Sequence, residues 1–469
     1  METIKLCDIK PAAYNPRKLS EDAFDNLVAS IKQLGIIKPI IVRKENNTIV
    51  AGHQRTKAMQ AIGMTECPAF VLSGLGQSDE VRFNQIHNRC EYEVNPKAPV
   101  MKITAPLNLG FNRVSIDNVQ IVKRGDLAVL NSNICCMVSK YGEFGCPVCT
   151  MQGDIIISAA YAFAHKVLGK DLWVCAISDD KVPIALDYFS KSYGTFSYEH
   201  LEKHTFIQCL AQMKRLRDGA KGKGNSFRSR MYEQVVIPWL LKQPNGKDLR
   251  ILDFGAGEMD YVKRLQKAGY NIIGYDPYHR VAGCMKIDFA GNRKTLLFIC
   301  EDIKTRGLYD VVVCDSVLNS VDSKQAEQSV IYSVAALCRL GGMVFISGRP
   351  MSDAQCHERM KKSTTKGESL IHFFDENGFS ALYRNGEWFY QKFHTEKEMR
   401  DIKHIFGAEG NIYDNKTGFI IAVCKDRVTD VETSVRALRF EWDMVLPNNT
   451  RYGLADEIEK AYRYVSDNQ

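Results

Sequence analysis

Leu249-Arg250-Ile251-Leu252-Asp253-Phe254-Gly255-Ala256-Gly257-Glu258-Met259-Asp260 is the stretch whose reading decides the fold. Ile251, Leu252 and Phe254 make a short apolar strand that runs into Asp253, Gly255 and Gly257. Two glycines allow a tight turn and a close approach of backbone to a ligand. A helix follows at once, because Tyr261, Val262, Leu265 and Ala268 fall on one face and Gly269 stands where it should stop. A second strand over residues 272–275 ends at Asp276. An acidic residue about 20 positions beyond such a turn can accept both hydroxyls of an adenosine ribose. The pattern is the first βαβ unit of a doubly wound α/β, Rossmann-like fold.

The ligand is narrowed by what is missing. A dinucleotide fingerprint needs a glycine where Asp260 stands, and no Gly-Lys-Ser or Gly-Lys-Thr follows to cradle a pyrophosphate. Asp253-x-Gly255-x-Gly257 with Asp276 resembles the S-adenosylmethionine (SAM) site of class I methyltransferases. The resemblance implies SAM as cofactor, with Asp253, Gly255, Gly257 and Asp276 binding it. SAM carries no phosphate, so a short acidic glycine turn suits its amino acid end. The bland alternative is a glycine turn in some other α/β domain.

Working outward, the chain has 469 residues, enough for two to four domains. A hydrophobic content of 45% with 25% charged residues is that of a globular protein with a sizeable core. The net charge of +7 is compatible with a nucleic acid partner without requiring one. Fifteen scattered cysteines, an odd number, with no secretory leader read at the start, point to reduced thiols and a cytoplasmic location. No apolar run is long enough to span a bilayer, and no internal repeat stands out.

Residues 1–94 read as an α+β domain. Strands are expected at 4–9, 36–42, 48–51 and 67–72. One helix is expected over 21–34, with Phe24, Leu27, Val28 and Ile31 inward, and another after Gly52-His53-Gln54-Arg55. Asn15-Pro16-Arg17, Gly35 with Pro39, Gly52-His53-Gln54-Arg55 and Asn88-Arg89 make this region similar to the N-terminal domain shared by ParB-type partition proteins and sulfiredoxins. The resemblance implies that a glycine-plus-arginine turn at a helix start holds nucleotide phosphates, CTP or ATP, through Gly52, His53 and Arg55, with Asn88 and Arg89 beyond. Free N–H groups and the positive end of a helix dipole make the same case physically. Sulfiredoxin chemistry is excluded, because His53 occupies the place of the nucleophilic cysteine. The Glu-Asn-x-x-Arg stretch of ParB proteins is matched only in part, so binding without hydrolysis, or a domain kept for docking or DNA contact, stays open.

Residues 95–217 begin with a proline-containing linker and read as an α+β or helical middle domain of unassigned role. Strands are expected at 119–130, 134–138 and 172–177, and helices at 155–168, 183–191 and 200–216. Cys135, Cys136, Cys146 and Cys149 cluster here, and Cys146-Pro-Val-Cys149 has knuckle spacing. Without a second pair or a histidine at finger spacing, ordinary thiols are the expectation over zinc, and no metal site is assigned. His200 and His204 are assigned no role. Lys214, Arg215, Arg217, Lys221, Lys223, Arg228 and Arg230, set among glycines, suit phosphate contact and equally suit a solvated hinge. A helix over 232–241 leads into the strand of Ile251, Leu252 and Phe254.

Residues 218–425 are expected to complete the methyltransferase-like domain. By the resemblance, a polar residue after the third strand holds the adenine amino group; Asp288 is the first candidate and Asp302 the second. Residues 308–315 read as the fourth strand, opening into Asp315-Ser316-Val317-Leu318-Asn319. That strand end faces the transferable methyl in the family, so Asp315, Ser316 and Asn319 are the catalytic candidates. Neither known base-methylation signature occurs: the fourth strand lacks Pro-Pro-aromatic, and the chain has no Pro-Cys dipeptide. Phe379, Tyr383, Trp388, Phe389, Tyr390 and Phe393 suit core packing, or sandwiching an extruded base. A last strand is expected at 418–425. Residues 426–469 form a charged appendix with a helix over 454–464.

The whole arrangement resembles multidomain proteins of phages and mobile elements that join a ParB-like domain to a SAM-dependent methyltransferase. It implies methyl transfer to DNA, with the N-terminal domain supplying nucleotide or DNA contact and with a homodimer as one assembly. The alternatives are a nucleotide-responsive DNA-binding regulator whose SAM site only senses, and a methyltransferase acting on a small molecule or protein.

Overall fold

The computed structural model describes all residues except 13–16, 77–82, 84–86, 88–97, 127, 191–194, 197–215, 218–226, 285, 353–373, 385–386, 415–417 and 469. The chain divides into two compact units, residues 1–201 with 356–376, and residues 202–355 with 377–469.

The first unit opens with β1 (Glu2–Lys5) and the short β2 (Arg17–Lys18). Helix α1 (Glu21–Leu34) starts where the Ser20 hydroxyl accepts from Ala23 N at 3.2 Å, and stops at Gly35, φ 74°. Strands β3 (Ile40–Arg43) and β4 (Ile49–Ala51), helix α2 (His53–Ala61) and β5 (Glu66–Leu72) complete a sheet of order β1-β5-β3-β4. β3 runs parallel to β5 and the other pairings are antiparallel. Alternation along Ile40-Ile41-Val42 is not needed, since both faces are covered and all three are buried.

β6 (Val100–Ile103) pairs with β8 (Val119–Lys123) as an antiparallel ribbon, with β7 (Gly110–Val114) between them in the chain. Residues 134–138, expected as a strand, lie in helix α3 (Ala128–Tyr141). Leu130, Ile134, Met137 and Val138 are buried at helical spacing, and that pattern outweighs β-branching. Residues 155–168, expected as one helix, split into strand β10 (Ile155–Ile157), which follows β9 (Val148–Thr150), and helix α4 (Ala159–Leu168). Three consecutive isoleucines favour the strand, and Ser158, at φ 61°, turns the chain into the helix. β11 (Leu172–Ile177) centres the sheet β10-β9-β11-β7; α5 (Val182–Ser190) and β12 (Thr195–Phe196), paired with β2, follow. One core joins Ile40, Val50, Met59 and Phe70 to Ile134, Val138, Tyr161 and Phe189, so α3, α4 and α5 share a hydrophobic interior with the first sheet.

The second unit begins with the short pair β13 (Leu216–Arg217) and β14 (Phe227–Arg228). A π-helical turn, Tyr232–Val236, leads into α6 (Ile237–Lys242). Then come β15 (Ile251–Phe254), α7 (Asp260–Lys267), β16 (Ile272–Tyr275), α8 (Phe289–Arg306), β17 (Tyr309–Cys314), α9 (Lys324–Leu337) and β18 (Cys338–Gly348). The hairpin β19 (Phe379–Arg384) and β20 (Glu387–Lys392), helix α10 (Glu396–Phe406), and strands β21 (Gly410–Asp414) and β22 (Phe419–Cys424) follow. Helices α11 (Val431–Trp442) and α12 (Ala455–Asp467) end the described chain.

The six-stranded sheet runs β16-β15-β17-β18-β22-β21, parallel through β18 and antiparallel beyond it. This is the expected α/β architecture with one correction. The strand expected ahead of Asp288 is reduced to a single bridge between Arg280 and Ile287, so the strand anticipated as fourth, β17, is third in chain order. Helix α8, 18 residues long, begins directly after it at Phe289. Ile251, Val311, Val313 and Phe345 face a core shared with Tyr232, Tyr261 and Leu265, and the alternate residues of the same strands face the opposite side. α11 packs on α9 and on α12, and α12 packs on α8, so the appendix forms part of this unit's helical layer.

Candidate functional site

The chain runs from β15 to β16 on one side of the sheet centre and then crosses back to β17 on the other side of β15. Ligands of open α/β sheets bind in the crevice outside such a switch point, at the carboxyl ends of the strands. Asp253, Asp276 and Asp315 stand at that edge, within or directly after β15, β16 and β17, and all three are buried.

The glycine turn is held tightly. Gly255 and Ala256 both donate their N–H groups to Tyr275 O at 2.8 Å. Gly255 has φ 77°, and a Cβ there would lie 2.2 Å from Val317 Cγ2, so both the backbone and the space require glycine. Gly257, at φ 57°, donates its N–H to Asp276 Oδ2 at 2.9 Å, and Tyr278 N donates to Asp276 Oδ1 at 2.8 Å. His279 Nδ1 lies 3.0 Å from Gly257 O, which makes Nδ1 the protonated nitrogen in that contact. Asp276 is therefore tied to the glycine turn by Gly257 N and held in its own loop by Tyr278 N.

At the end of β17 a second cluster forms. Asp315 Oδ2 accepts from Ser229 Oγ at 2.6 Å, and Asp315 Oδ1 accepts from Ser347 Oγ at 3.0 Å and Ser316 Oγ at 3.2 Å. Ser347 Oγ in turn accepts from Ser316 N at 2.7 Å, which holds Ser316 at φ 65°, a left-handed conformation for a residue with a Cβ. Asn319 lies in the short 3-10 turn Leu318–Ser320 that follows and is half-buried, while Ser316 is exposed. Ser229 and Ser347 were not foreseen. They lie 86 and 32 residues from Asp315, and isolated serines carry no sequence signal.

Asp288 is the N-cap of α8, accepting from Gly291 N at 3.0 Å. Asp302, the second adenine candidate, is buried in an ion-pair cluster: Arg250 Nη2 lies 2.6 Å away and Arg306 reaches its other oxygen. Its lone pairs serve the packing of α8 against β15 and β17. Phe379, Tyr390 and Phe393 are buried, so these three belong to the core. Phe389 is half-buried in the same hairpin, and the side chains of Tyr383 and Trp388 fall outside the described residues. His394 Nε2 meets Glu327 Oε1 at 2.8 Å inside that core.

One acid from the appendix reaches under the site. Glu441 of α11 is buried beside Tyr275, its Oε1 3.4 Å from the phenol oxygen. Burial, with the charge of Asp276 adding, pushes its carboxyl up to about 8. The folded chain keeps this proton to higher pH than the unfolded chain, so Glu441 favours folding below about pH 4.5. That contribution is lost progressively as pH rises toward 8, about 3 kcal/mol of it by pH 7. Glu441→Gln is expected to raise the melting temperature of this unit near pH 7.5 and to flatten its decline between about pH 5 and pH 8. Thermal scans of both proteins across that range check it; parallel curves would show that Glu441 titrates normally.

In the first unit, Gly52, φ 99°, caps α2, and a Cβ there would come within 2.7 Å of Ile40 Cγ2. Arg55 is buried one turn in and, with Lys38, lines a small hollow walled by Leu27, Ile31, Leu34 and Tyr188. Lys38 Nζ donates to Ser158 Oγ at 2.6 Å. The His53 imidazole turns inward, where Nε2 accepts from Ala12 N at 3.1 Å, and burial, with the charge of Lys57 adding, pushes its pKa down to about 4. His53 thus offers a ligand its backbone N–H rather than its ring. Asn15, Pro16, Asn88, Arg89, His200, His204, Lys214, Arg215, Lys221 and Lys223 lie outside the described residues. Cys135, Cys146 and Cys149 each donate to a backbone carbonyl, of Ala164, Pro147 and Cys175. Among the described residues no group of three or more His, Cys, Asp or Glu side chains is gathered to hold a metal.

The acidic glycine turn at the switch point of a parallel sheet defines the second unit as a methyltransferase-like domain, and residues 226–393 match the family described as "Methyltransferase domain". Residues 1–89 match the ParB N-terminal domain. Over 77 residues the chain is 38% identical to the ParB-like nuclease domain-containing protein YnaK of Escherichia coli, covering 16% of this chain and 87% of that protein. Through this region the chain belongs to the ParB N-terminal domain family, and it joins that domain to a methyltransferase domain. It is also 30% identical over 135 residues to the probable chromosome 1-partitioning protein ParB of Deinococcus radiodurans, covering 28% of this chain and 46% of that one. The chain spans between 26% and 46% of the first chromosome-partitioning relatives it matches. Among solved structures, magnesium protoporphyrin IX methyltransferase from Synechocystis PCC 6803 with bound SAM matches at 17% identity. It covers 40% of this chain and 74% of that chain, with a TM-score of 0.24.

Proposed function

We propose that the chain is a SAM-dependent methyltransferase acting on DNA, with its ParB-like domain binding nucleotide or DNA. The observation that carries the reading is Asp276, tied to Gly257 N at 2.9 Å across the crevice at the carboxyl ends of β15 and β16. The turn fits SAM: it is narrow, acidic at Asp253 and Asp276, and closed to any Cβ at Gly255. Asp276 would take the ribose diol, and the turn would take the amino acid end. When bound, SAM supplies a methyl on a sulfonium already activated toward displacement. The chain's part is to orient an acceptor and take up its proton where needed. Ser316 and Asn319 border the place of transfer, and Asp315 holds their loop in register through Ser229 and Ser347.

DNA as acceptor, and a second copy of the chain as partner, rest on the company of a ParB domain and on the net charge of +7. Nucleotide at the N-terminal domain rests on Gly52 and Arg55 at the start of α2. A SAM sensor without transfer is the second reading, favoured by Asp315, whose oxygens are engaged by serine hydroxyls. Methyl-labelled SAM, incubated with the full chain and duplex DNA, single-stranded DNA, RNA or cell protein, with and without CTP or ATP, separates these. Label in DNA is expected. Label only in another acceptor moves the substrate, and SAM binding without label selects the sensor.

A further inference from the structure

The loop that follows β16 carries Asp276, Pro277, Tyr278 and His279 from the sheet edge to α8. On one side it is stitched to the glycine turn, as described above. On the other it meets a segment far away in sequence. Tyr452, in the turn between α11 and α12, donates its phenol O–H to Pro277 O at 2.6 Å, across 175 residues. Asn292 Nδ2 donates to His279 O at 3.2 Å and reaches Pro277 O at 3.4 Å, and it also donates to Tyr452 Oη at 3.0 Å. Tyr452 and Asn292 are 2% and 4% exposed, so these bonds form away from water. The Tyr452 ring stacks on Phe289, with centroids 5.1 Å apart, and Arg293 Nε donates to Tyr452 O at 3.2 Å.

This clamp has a structural reason. Among the described residues the stretch between the loop and α8 forms only the Arg280–Ile287 bridge, and β16 is the edge of its sheet, so no strand of that sheet flanks the loop on its outer side. Its carbonyls would otherwise lack partners in a buried place, which is costly. Tyr452 and Asn292 provide those partners. A carboxylate recognises a diol only when its position is fixed to within a fraction of an ångström.

We propose that Tyr452 and Asn292 are positioning residues of the cofactor site, which the C-terminal segment completes by clamping the Pro277 and His279 carbonyls and so fixing the ribose carboxylate of Asp276. The proposal rests on the SAM reading of this crevice. It makes the appendix part of the methyltransferase unit in function as well as in packing. Tyr452 and Asn292 need not touch the ligand; they act through the loop that does.

The test uses the full chain and two ligands, S-adenosylhomocysteine and its 2′-deoxyribose analogue, measured by titration calorimetry. Wild type should favour the ribose form strongly. Tyr452→Phe keeps the ring and its stacking but removes the O–H. It is expected to bind S-adenosylhomocysteine about tenfold more weakly, with the analogue changed less than twofold, since a loosened Asp276 has less to lose when the hydroxyl is gone. Asn292→Ala should give the same signature. Equal weakening of both ligands would mean a general loss of stability and would overturn the proposal. So would unchanged binding of both by a folded Tyr452→Phe protein. Failure of the wild type to bind S-adenosylhomocysteine would overturn the SAM reading itself, and the proposal with it.

Discussion

Asp276→Ala is expected to weaken SAM binding about 100-fold while leaving the chain folded. On the proposed SAM reading the carboxylate accepts two ribose hydroxyls, and hydrogen bonds to a charged acceptor contribute roughly 1.5–3 kcal/mol each. Losing both would reach 100-fold even after water fills the gap, since every 1.4 kcal/mol is about a factor of ten. The variant also strips Gly257 N and Tyr278 N of their acceptor, which loosens the glycine turn. Neither group lies in the apolar core around Tyr261 and Leu265, so the melting temperature should move by only a few degrees. Calorimetric titration of both proteins with SAM gives the ratio directly. Unchanged affinity would place the ribose elsewhere and remove Asp276 from the site.

Much of this was legible in the sequence because it is local. Gly255, Gly257 and Asp276 announce a turn between two strands and its acidic partner within 30 residues. The structure assembles that turn with the bond between Asp276 and Gly257. The first helix was legible for the same reason, with Ser20 capping it and Gly35 ending it. The reading stopped where contacts are distant or where local signals conflict. Isoleucine and valine at 134–138 favour a strand by propensity, but their spacing with Leu130 and Met137 buries one helical face. The strand before α8 was expected from the order of elements in the family rather than from its own residues, since 281–288 carries Gly283, Lys286 and Asp288 and forms only the Arg280–Ile287 bridge. The serines that hold Asp315, and Tyr452 above Pro277, lie far away in the chain. No spacing rule connects them. Asp302, by contrast, looked available because Arg250, 52 residues away, could not be placed from sequence, and Arg306 pairs with it only as the i,i+4 neighbour on a helix.

Asp315→Asn separates a role in transfer from a role in cofactor binding. The side chain keeps its shape, but one acceptor oxygen becomes a donor N–H₂. Ser229 Oγ already accepts from Tyr232 N at 3.2 Å, and Ser347 Oγ already accepts from Ser316 N at 2.7 Å, so each hydroxyl needs an acceptor for its own proton. Asparagine can serve one side of the cluster and not both. The side left unserved releases either the Ser229 segment or the Ser347–Ser316 contact that holds Ser316 left-handed. The loop bearing Ser316 and Asn319 then loses its register at the proposed place of transfer, while the glycine turn and Asp276, held by separate bonds, keep theirs. An interaction that counts only in the transition state lowers kcat without raising the dissociation constant of the cofactor. The expected result is therefore methyl transfer reduced about 100-fold, or roughly 2.7 kcal/mol, with SAM affinity within about threefold of wild type. Single-turnover transfer with labelled SAM, alongside calorimetric binding, measures both. A parallel fall in binding and transfer would make Asp315 a cofactor contact instead. Unchanged transfer would show that the serine cluster only holds the end of β17 together, and that the acceptor is oriented elsewhere along the crevice.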